Sequence, residues 1–242
     1  MLEDGVVAGI EEATILAQNL GLEAKGNVAD GAKIKNKQVL MAICGDAQTI
    51  LAMERTMLNL LSRMSGIATQ TSAINAKLQK AGVKAKIAAT RKSAPGLLYF
   101  DKKAVAIGGG DAHRLHLDDM ILIKDNHIAI VGNVEAAVKK AKSTASFTKK
   151  IEVEITKEEE VLQAAKAGAD IIMLDNFSPA QAKTAGEKLR KAGFRNVLLE
   201  LSGGITNENL LEYANAQVDV ISVGALTHSV KALDISLEIT QS

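Results

Sequence analysis

Residues 88–128 gather Arg91, Lys92, His113, Arg114, Lys124 and His127, with Gly108-Gly109-Gly110 between the first pair and the second. Apolar pieces, Ile87-Ala88-Ala89 and Met120-Ile121-Leu122-Ile123, run up to Arg91 and Lys124. Read as buried strands, they place the cations at strand C-terminal ends, where parallel α/β sheets, open or closed, collect their ligands. Cations in that density suit a small molecule with several negative charges. Further strand-like pieces also end in polar groups: Lys124-Asp125-Asn126-His127, Glu152 and Glu154, Asp175-Asn176, Glu200 with Ser202-Gly203-Gly204, and Gly224-Ala225. Glu152 and Glu154 share a strand face, so in a barrel both can point inward. A single acid on a strand is an ordinary edge charge; acids, cations and glycines at successive strand ends describe a site.

The glycines at the last two ends let backbone N–H groups approach an anion, and a helix starting there adds its dipole. Barrels often hold a phosphate at that place. Gly108-Gly109-Gly110 follows no clear strand and reads at least as well as the flexible end of a helix. From the residues alone the chain reads as a barrel enzyme acting on a phosphorylated, polyanionic small molecule. Glu154 and Asp175 would bind hydroxyls or Mg²⁺.

These groups need a frame. From Lys84 onward the pattern predicts strands over 85–89, 120–124, 150–155, 170–174, 197–201 and 218–223. Helices are predicted over about 100–108, 133–143, 157–167, 179–192, 207–216 and 227–239. Thr156 with Glu159 reads as a capping box, and Ser178-Pro179 with Gln181 supplies a cap, an N1 proline and an N3 partner. Gly132, Gly168 and Gly193 supply stops. Repeated βα units predict a parallel sheet, and right-handed crossovers curl such a run into a barrel. About six strands fall short of the eight of a closed barrel, so a smaller or incomplete barrel is expected, with an open doubly wound sheet as the alternative.

Ahead of this rhythm, 53–80 reads as one long helix with Met53, Met57, Leu60/Leu61, Met64, Ile67/Ala68, Thr71, Ile74 and Leu78 on a single face. Arg55, near its start, has the plain reading of a solvated charge. Residues 1–52 form short strand-like pieces at 6–10, 22–24, 32–34 and 39–43 around a helix over 11–19, a small α/β layer. Cys44 closes the last of them and is expected to be a packed thiol, since no His lies near it in sequence. The division expected is 1–52 and 53–242.

The 242 residues suffice for a full core. With 29 basic and 28 acidic residues the net charge is +1, which argues against a nucleic-acid surface, and the absence of Trp argues against base-stacking platforms. One cysteine forms no internal disulfide, no Cys/His cluster has zinc spacing, and a reducing cytoplasm is expected. No signal peptide is evident, and no apolar run approaches the roughly 20 residues of a membrane span.

One ordered set of motifs goes further. Glu54-Arg55-Thr56 with Leu58-Asn59, Ser65-Gly66-Ile67-Ala68-Thr69, Thr90-Arg91-Lys92 with Pro95-Gly96-Leu97, and Gly108-Gly109-Gly110 with His113-Arg114 come first. Leu122-Ile123-Lys124-Asp125-Asn126-His127, Leu174-Asp175-Asn176-Phe177 and Ser202-Gly203-Gly204-Ile205 follow. Together they closely resemble the quinolinate phosphoribosyltransferases, over nearly the whole chain and most densely across 54–224. The resemblance implies an α/β fold: a small N-terminal α/β sandwich and an incomplete, about seven-stranded α/β barrel whose C-terminal helix can pack back on the N-terminal domain. It implies a homodimer or higher assembly with sites at the interface. It also implies the Mg²⁺-dependent reaction of quinolinate with phosphoribosyl pyrophosphate to give nicotinate mononucleotide, pyrophosphate and CO₂.

By that resemblance Arg91, His113, Arg114 and Lys124 line the quinolinate and pyrophosphate region, with Lys92 beside them, and Arg55 enters from the neighbouring subunit. Glu154 and Asp175 hold ribose hydroxyls and the metal. Ser202, Gly203, Gly204 and Gly224 cradle the 5-phosphate, with His228 near it. Two carboxylates and several phosphates call for Arg and Lys in this number. A Schiff base at Lys124 is the minor chemical alternative. The chain starts almost at Glu3-Asp4-Gly5, so an N-terminal piece of a few tens of residues is expected to be missing relative to the family. Leu98 stands where Arg is usual, Ser93-Ala94 where Thr-Thr is usual, and His116 where Gly is common; the short start, Leu98 and Ser93-Ala94 bear on substrate preference. The rivals are a nicotinate-using sibling, the paralogue associated with molybdenum transport, and a phosphosugar-binding barrel without activity.

Overall fold

The structure, a computed structural model, describes residues 3–240. The chain forms two compact units, Met1–Asn75 with Lys92–Ala112 and Leu226–Ser242, and Ala76–Arg91 with His113–Ala225.

In the first unit β1 (Gly5–Val6) pairs antiparallel with β3 (Lys33–Ile34), and β2 (Glu23–Gly26) with β4 (Met41–Cys44). Helix α1 (Ile10–Asn19) buries Ile10, Ala13 and Ala17, and α2 (Ala47–Lys80) supplies Met53, Met57, Leu58 and Leu61 to the same core. The single face expected on α2 is the buried one, from Met53 through Met64 and Ile67 to Leu78. Its polar members are used: Ser65 Oγ accepts the Ala8 N–H (3.0 Å) and Thr69 Oγ1 the Val6 N–H (2.9 Å). Helix α3 (Leu98–Ile107) is held by Asp101, fully buried, which takes two hydrogen bonds from Arg63 at 2.7 and 2.8 Å. Gly108 ends α3 against α2, where a Cβ would sit 2.7 Å from that of Thr71, so the first glycine of the triplet serves close packing. Cys44 is exposed, against expectation, because β4 presents only alternate residues to the core.

The helix expected over 227–239 is a second correction. Only a short α8 (Ala225–His228) forms, and the described residues beyond it, 229–240, hold no helix. Leu233, Ile235 and Leu237 alternate with Asp234, Ser236 and Glu238; this is the period of an extended chain, and those three leucine and isoleucine side chains pack on the first unit's core. The Leu233 N–H donates to the Ser62 carbonyl at 2.9 Å. Gly66 makes room for this strap: a Cβ there would lie 2.9 Å from the Ala232 Cα.

In the second unit β5 (Lys86–Ala88), β6 (Ile121–Ile123), β7 (Ile151–Ile155), β8 (Ile171–Asp175), β9 (Leu198–Ser202) and β10 (Val220–Ser222) form one parallel sheet in the order β5-β10-β9-β8-β7-β6. All lie within a residue or two of the predicted strands. Among the described residues the sheet has six strands where the resemblance implies about seven, and β5 and β6 are its edges, so the barrel is incomplete. Helices α5 (Val134–Thr144), α6 (Glu160–Ala167) and α7 (Pro179–Lys191) follow β6, β7 and β8. Ser178 caps α7 with Gln181 as its reciprocal partner, as read from the sequence. Thr156 does not cap α6, which starts later, behind Glu159 without a side-chain cap. The helix expected over 207–216 is reduced to a 3₁₀ turn, Leu210–Tyr213. Asn209 explains this: its Oδ1 accepts the Thr206 N–H (2.8 Å) and its Nδ2 donates to the Gly204 carbonyl (2.9 Å), bonds that compete with a helical start. Among the described residues no helix is long and apolar enough to cross a membrane.

Candidate active site

The C-terminal edge of the parallel sheet collects the predicted groups. Arg91 lies just beyond β5, Lys124 directly after β6, Glu154 near the end of β7, Asp175 and Ser202 at the ends of β8 and β9, and Gly224 just beyond β10. Register puts Asp175 opposite Ser202, and Glu154 and Glu200 opposite Met173 from its two sides. A helix not foreseen, α4 (Asp125–Val131), begins at once after Lys124. His127 in its first turn accepts the Lys124 N–H at Nδ1 (2.9 Å), which places that imidazole in local backbone support. Lys124 itself is exposed, with Nζ 3.9 Å from Glu154 Oε2.

Beneath this edge lies a buried charge cluster. Glu152 is fully buried and Glu200 nearly so. His113 Nε2 stands 3.2 Å from Glu200 Oε2 and 3.5 Å from Glu152 Oε2, while Ser222 donates to Glu200 Oε1 at 2.5 Å. Burial first, and then the Glu200 charge, push the Glu152 carboxyl up to about 8 against the opposing pull of His113 and Arg114. Arg114 is drawn down by its own burial and by Arg91, and drawn up by Glu152 and Asp119. Two guanidiniums near enough to raise the cost of each other's charge form a place for an anion.

The phosphate candidates keep their glycines but not the helix dipole. Gly203 and Gly204 both take left-handed backbone (φ 95° and 61°), and a Cβ on Gly203 would fall 2.7 Å from the Asn176 backbone nitrogen. Asn176, also left-handed (φ 56°), donates its N–H to the Ser202 carbonyl (2.9 Å) and its Nδ2 to Asp175 Oδ2 (2.8 Å), joining the ends of β8 and β9. With only a 3₁₀ turn after one loop and a four-residue helix after the other, an anion here would be met by backbone N–H groups without the dipole of a long helix.

Comparison with known proteins gives the decisive observation. Residues 1–65 match the model of the quinolinate phosphoribosyl transferase N-terminal domain, and residues 67–238 that of its C-terminal domain. The chain belongs to the quinolinate phosphoribosyltransferase family. A relative in Methanothermobacter thermautotrophicus, a probable carboxylating nicotinate-nucleotide pyrophosphorylase, is 48% identical over 98% of this chain and 85% of its own. The carboxylating nicotinate-nucleotide pyrophosphorylase of Homo sapiens is 38% identical over 97% of this chain and 79% of its own. Among solved structures, nicotinate-nucleotide pyrophosphorylase from Francisella tularensis superposes with a TM-score of 0.88 at 37% identity, covering 96% of this chain and 81% of that one.

Within this member of the quinolinate phosphoribosyltransferases, the second unit brings together Arg91, His113, Arg114, Lys124, Glu154, Asp175, Ser202, Gly203, Gly204 and Gly224. Lys92, Arg55 and His228 belong to the first unit, where each is exposed. There the Lys92 carbonyl accepts from Thr227 Oγ1 (2.7 Å) and His228 Nδ1 lies 2.7 Å from Ser229 Oγ. Sequence reading noted Glu152 and Glu200 as strand polar groups but missed their meeting at His113, and it passed over Ser222. The available signal was an acid in mid-strand among Ile, Val and Leu, facing the same way as the site.

Proposed function

We propose that this chain transfers the phosphoribosyl group of phosphoribosyl pyrophosphate to quinolinate, with loss of CO₂, giving nicotinate mononucleotide and pyrophosphate. The observation that carries this reading is the mutual placement of Arg91 and Arg114 at the sheet's C-terminal edge, with the acids Glu154 and Asp175 on neighbouring strands. Cations for a dicarboxylate lie beside hard oxygen donors for a sugar and a divalent ion.

Arg91 and Arg114 would take the two quinolinate carboxylates, and Lys124 would stabilise the charge that gathers on departing pyrophosphate. Glu154 and Asp175 fit Mg²⁺, since both offer carboxylate oxygens at adjacent strand ends; when bound, the ion would neutralise pyrophosphate oxygens. The loop 202–204 and Gly224 would hold the 5-phosphate and fix the ribose. The pyridine nitrogen attacks the anomeric carbon as the bond to pyrophosphate breaks, leaving the ring nitrogen cationic. The adjacent carboxylate then leaves as CO₂, its bonding pair remaining on the ring carbon beside that cation, and a proton completes the product. No covalent enzyme intermediate is required, so Lys124 acts as a charge.

Further parts of this reading are a homodimer or higher assembly in which Arg55, exposed on α2, serves the neighbouring subunit's site, and a cytoplasmic location. The test is direct. Purified protein incubated with quinolinate, phosphoribosyl pyrophosphate and Mg²⁺ should form nicotinate mononucleotide and CO₂ in equal amounts. Nucleotide from nicotinate without CO₂ would identify the nicotinate-using sibling instead, and no product from either acid would leave a binding role.

A further inference from the structure

Both ring nitrogens of His113 have partners within the fold. Its Nδ1 accepts the N–H of Arg114 at 2.8 Å, and a backbone N–H can only donate. The ring proton therefore sits on Nε2, which faces Glu200 at 3.2 Å and Glu152 at 3.5 Å. Glu200 is fixed on its other oxygen by the buried Ser222 hydroxyl at 2.5 Å. Glu200 and Ser222 rise from β9 and β10, so the imidazole is anchored to the sheet through Glu200 at one nitrogen and to the following residue at the other, while Glu152 on β7 stands beside it without a hydrogen bond. His113 also holds left-handed backbone (φ 52°), a conformation a β-carbon disfavours and that persists where surroundings over-determine it.

We propose that Glu200 and Ser222 are positioning residues that act through His113 to aim the guanidinium of Arg114. The residue that follows a tethered, left-handed His113 has its own backbone N–H captured, so its side chain leaves the chain in one direction. Arg114 then meets the substrate already oriented, and the ordering cost is not repeated at each binding event. The groups facing Glu152 are Glu200, His113, Arg114 and Glu154. His113, Glu152 and Glu200 are also close enough to share a metal ion, but the positive Arg114 beside them favours the hydrogen-bonded arrangement over a second cation.

This inference rests on Arg114 as an anchor for a quinolinate carboxylate, and the experiment separates the two. Steady-state kinetics would be measured on the full chain for Arg114→Ala, Glu200→Leu, Glu200→Gln and Ser222→Ala, varying quinolinate and phosphoribosyl pyrophosphate in turn. Glu200→Leu should raise the quinolinate KM on the order of tenfold to a hundredfold with the phosphoribosyl pyrophosphate KM unchanged. Glu200→Gln, which can still accept from His113 and bond Ser222, should restore most of that loss, and Ser222→Ala should show a smaller rise in the same constant. If Arg114→Ala leaves the quinolinate KM unchanged, the anchor reading fails. If Arg114→Ala raises it while Glu200→Leu does not, positioning alone fails.

Should Glu200→Leu fold poorly, the ring nitrogens of ¹⁵N-histidine-labelled wild-type protein decide. With four histidines in the chain, assignment by substitution is short work. A neutral His113 protonated at Nε2 near neutral pH supports the assignment; a proton on Nδ1, or a stoichiometric transition metal lost on treatment with chelator, overturns it.

Discussion

On the proposed function Arg91, Arg114 and Lys124 serve as charges for a ligand rather than as partners for one another, and this separates their loss from loss of fold. The exposed Arg91 and Lys124 contribute little packing, and the Lys124–Glu154 separation of 3.9 Å across a half-exposed pair is worth little to stability. Arg91→Ala and Lys124→Ala should each reduce kcat/KM by at least about a hundredfold, as expected when transition-state charge loses its partner. Their thermal midpoints should stay close to wild type, and wild-type-like turnover in either variant would sink the assignment. Glu152 predicts the opposite pairing, a small chemical change with a stability signature. In the unfolded chain its carboxyl ionises near the ordinary 4.5, whereas in the fold it keeps its proton to about 8. Between those values the folded state binds more protons, so this group's contribution is full below about 4.5 and is lost as pH rises through 8. Urea midpoints should fall across that interval, and Glu152→Gln, which cannot ionise, should flatten the decline. The cations were legible in the sequence because charged residues directly behind apolar runs are conspicuous. The cluster under them was not, because a contact between β7, β9 and the turn holding His113 depends on strand order, which residue types do not state.

Helix α2 illustrates what period can and cannot reveal. Its buried face was read almost residue by residue, since one stripe at helical spacing over so many turns admits a single solution. What lies against the stripe is not stated by period, and so the C-terminal strap reads as a helix although its alternation favours an extended chain. Gly66 makes the consequence measurable. Gly→Ala inside a helix ordinarily stabilises by about 0.5–1 kcal/mol. Here the added Cβ would meet the Ala232 Cα at 2.9 Å and press on the Lys231 carbonyl, so Gly66→Ala should destabilise by about 1–3 kcal/mol, the usual cost of overpacking. A raised melting temperature would show that the strap is not seated there. The turn at 207–216 teaches the same lesson from the other side: Asn209 bonds locally to Thr206 and Gly204, and such side-chain bonds defeat a helix that periodicity alone would accept.

At the scale of the whole molecule, the strand–helix rhythm was enough to name the parallel sheet, because each βα unit carries its own turn residues and the central strands β7, β8 and β9 are buried on both faces. It could not name the order of the strands, in which β5 pairs with β10 from the far end of the unit. Assembly has its own prediction. If Arg55 serves the neighbouring site, mixtures of Arg55→Ala and Lys124→Ala chains, each inactive alone, should recover about a quarter of the wild-type activity after subunit exchange of a two-fold dimer. Activity that stays at the level of the separate variants would place Arg55 in its own subunit's site or outside the chemistry.

The strap has a temporal meaning as well as a spatial one. Leu233, Ile235 and Leu237 complete a core whose other members are drawn chiefly from the first third of the chain. On the ribosome those early segments leave the exit tunnel first and must wait, at about 5–20 residues per second, for nearly all the remaining sequence to be translated before their apolar surface is covered. The second unit waits too, since β5 gains its neighbour only when β10 has emerged. Nascent chains should therefore keep chaperones bound after the first third has emerged, and ribosome profiling of chaperone-bound chains should show engagement persisting through the codons that follow it.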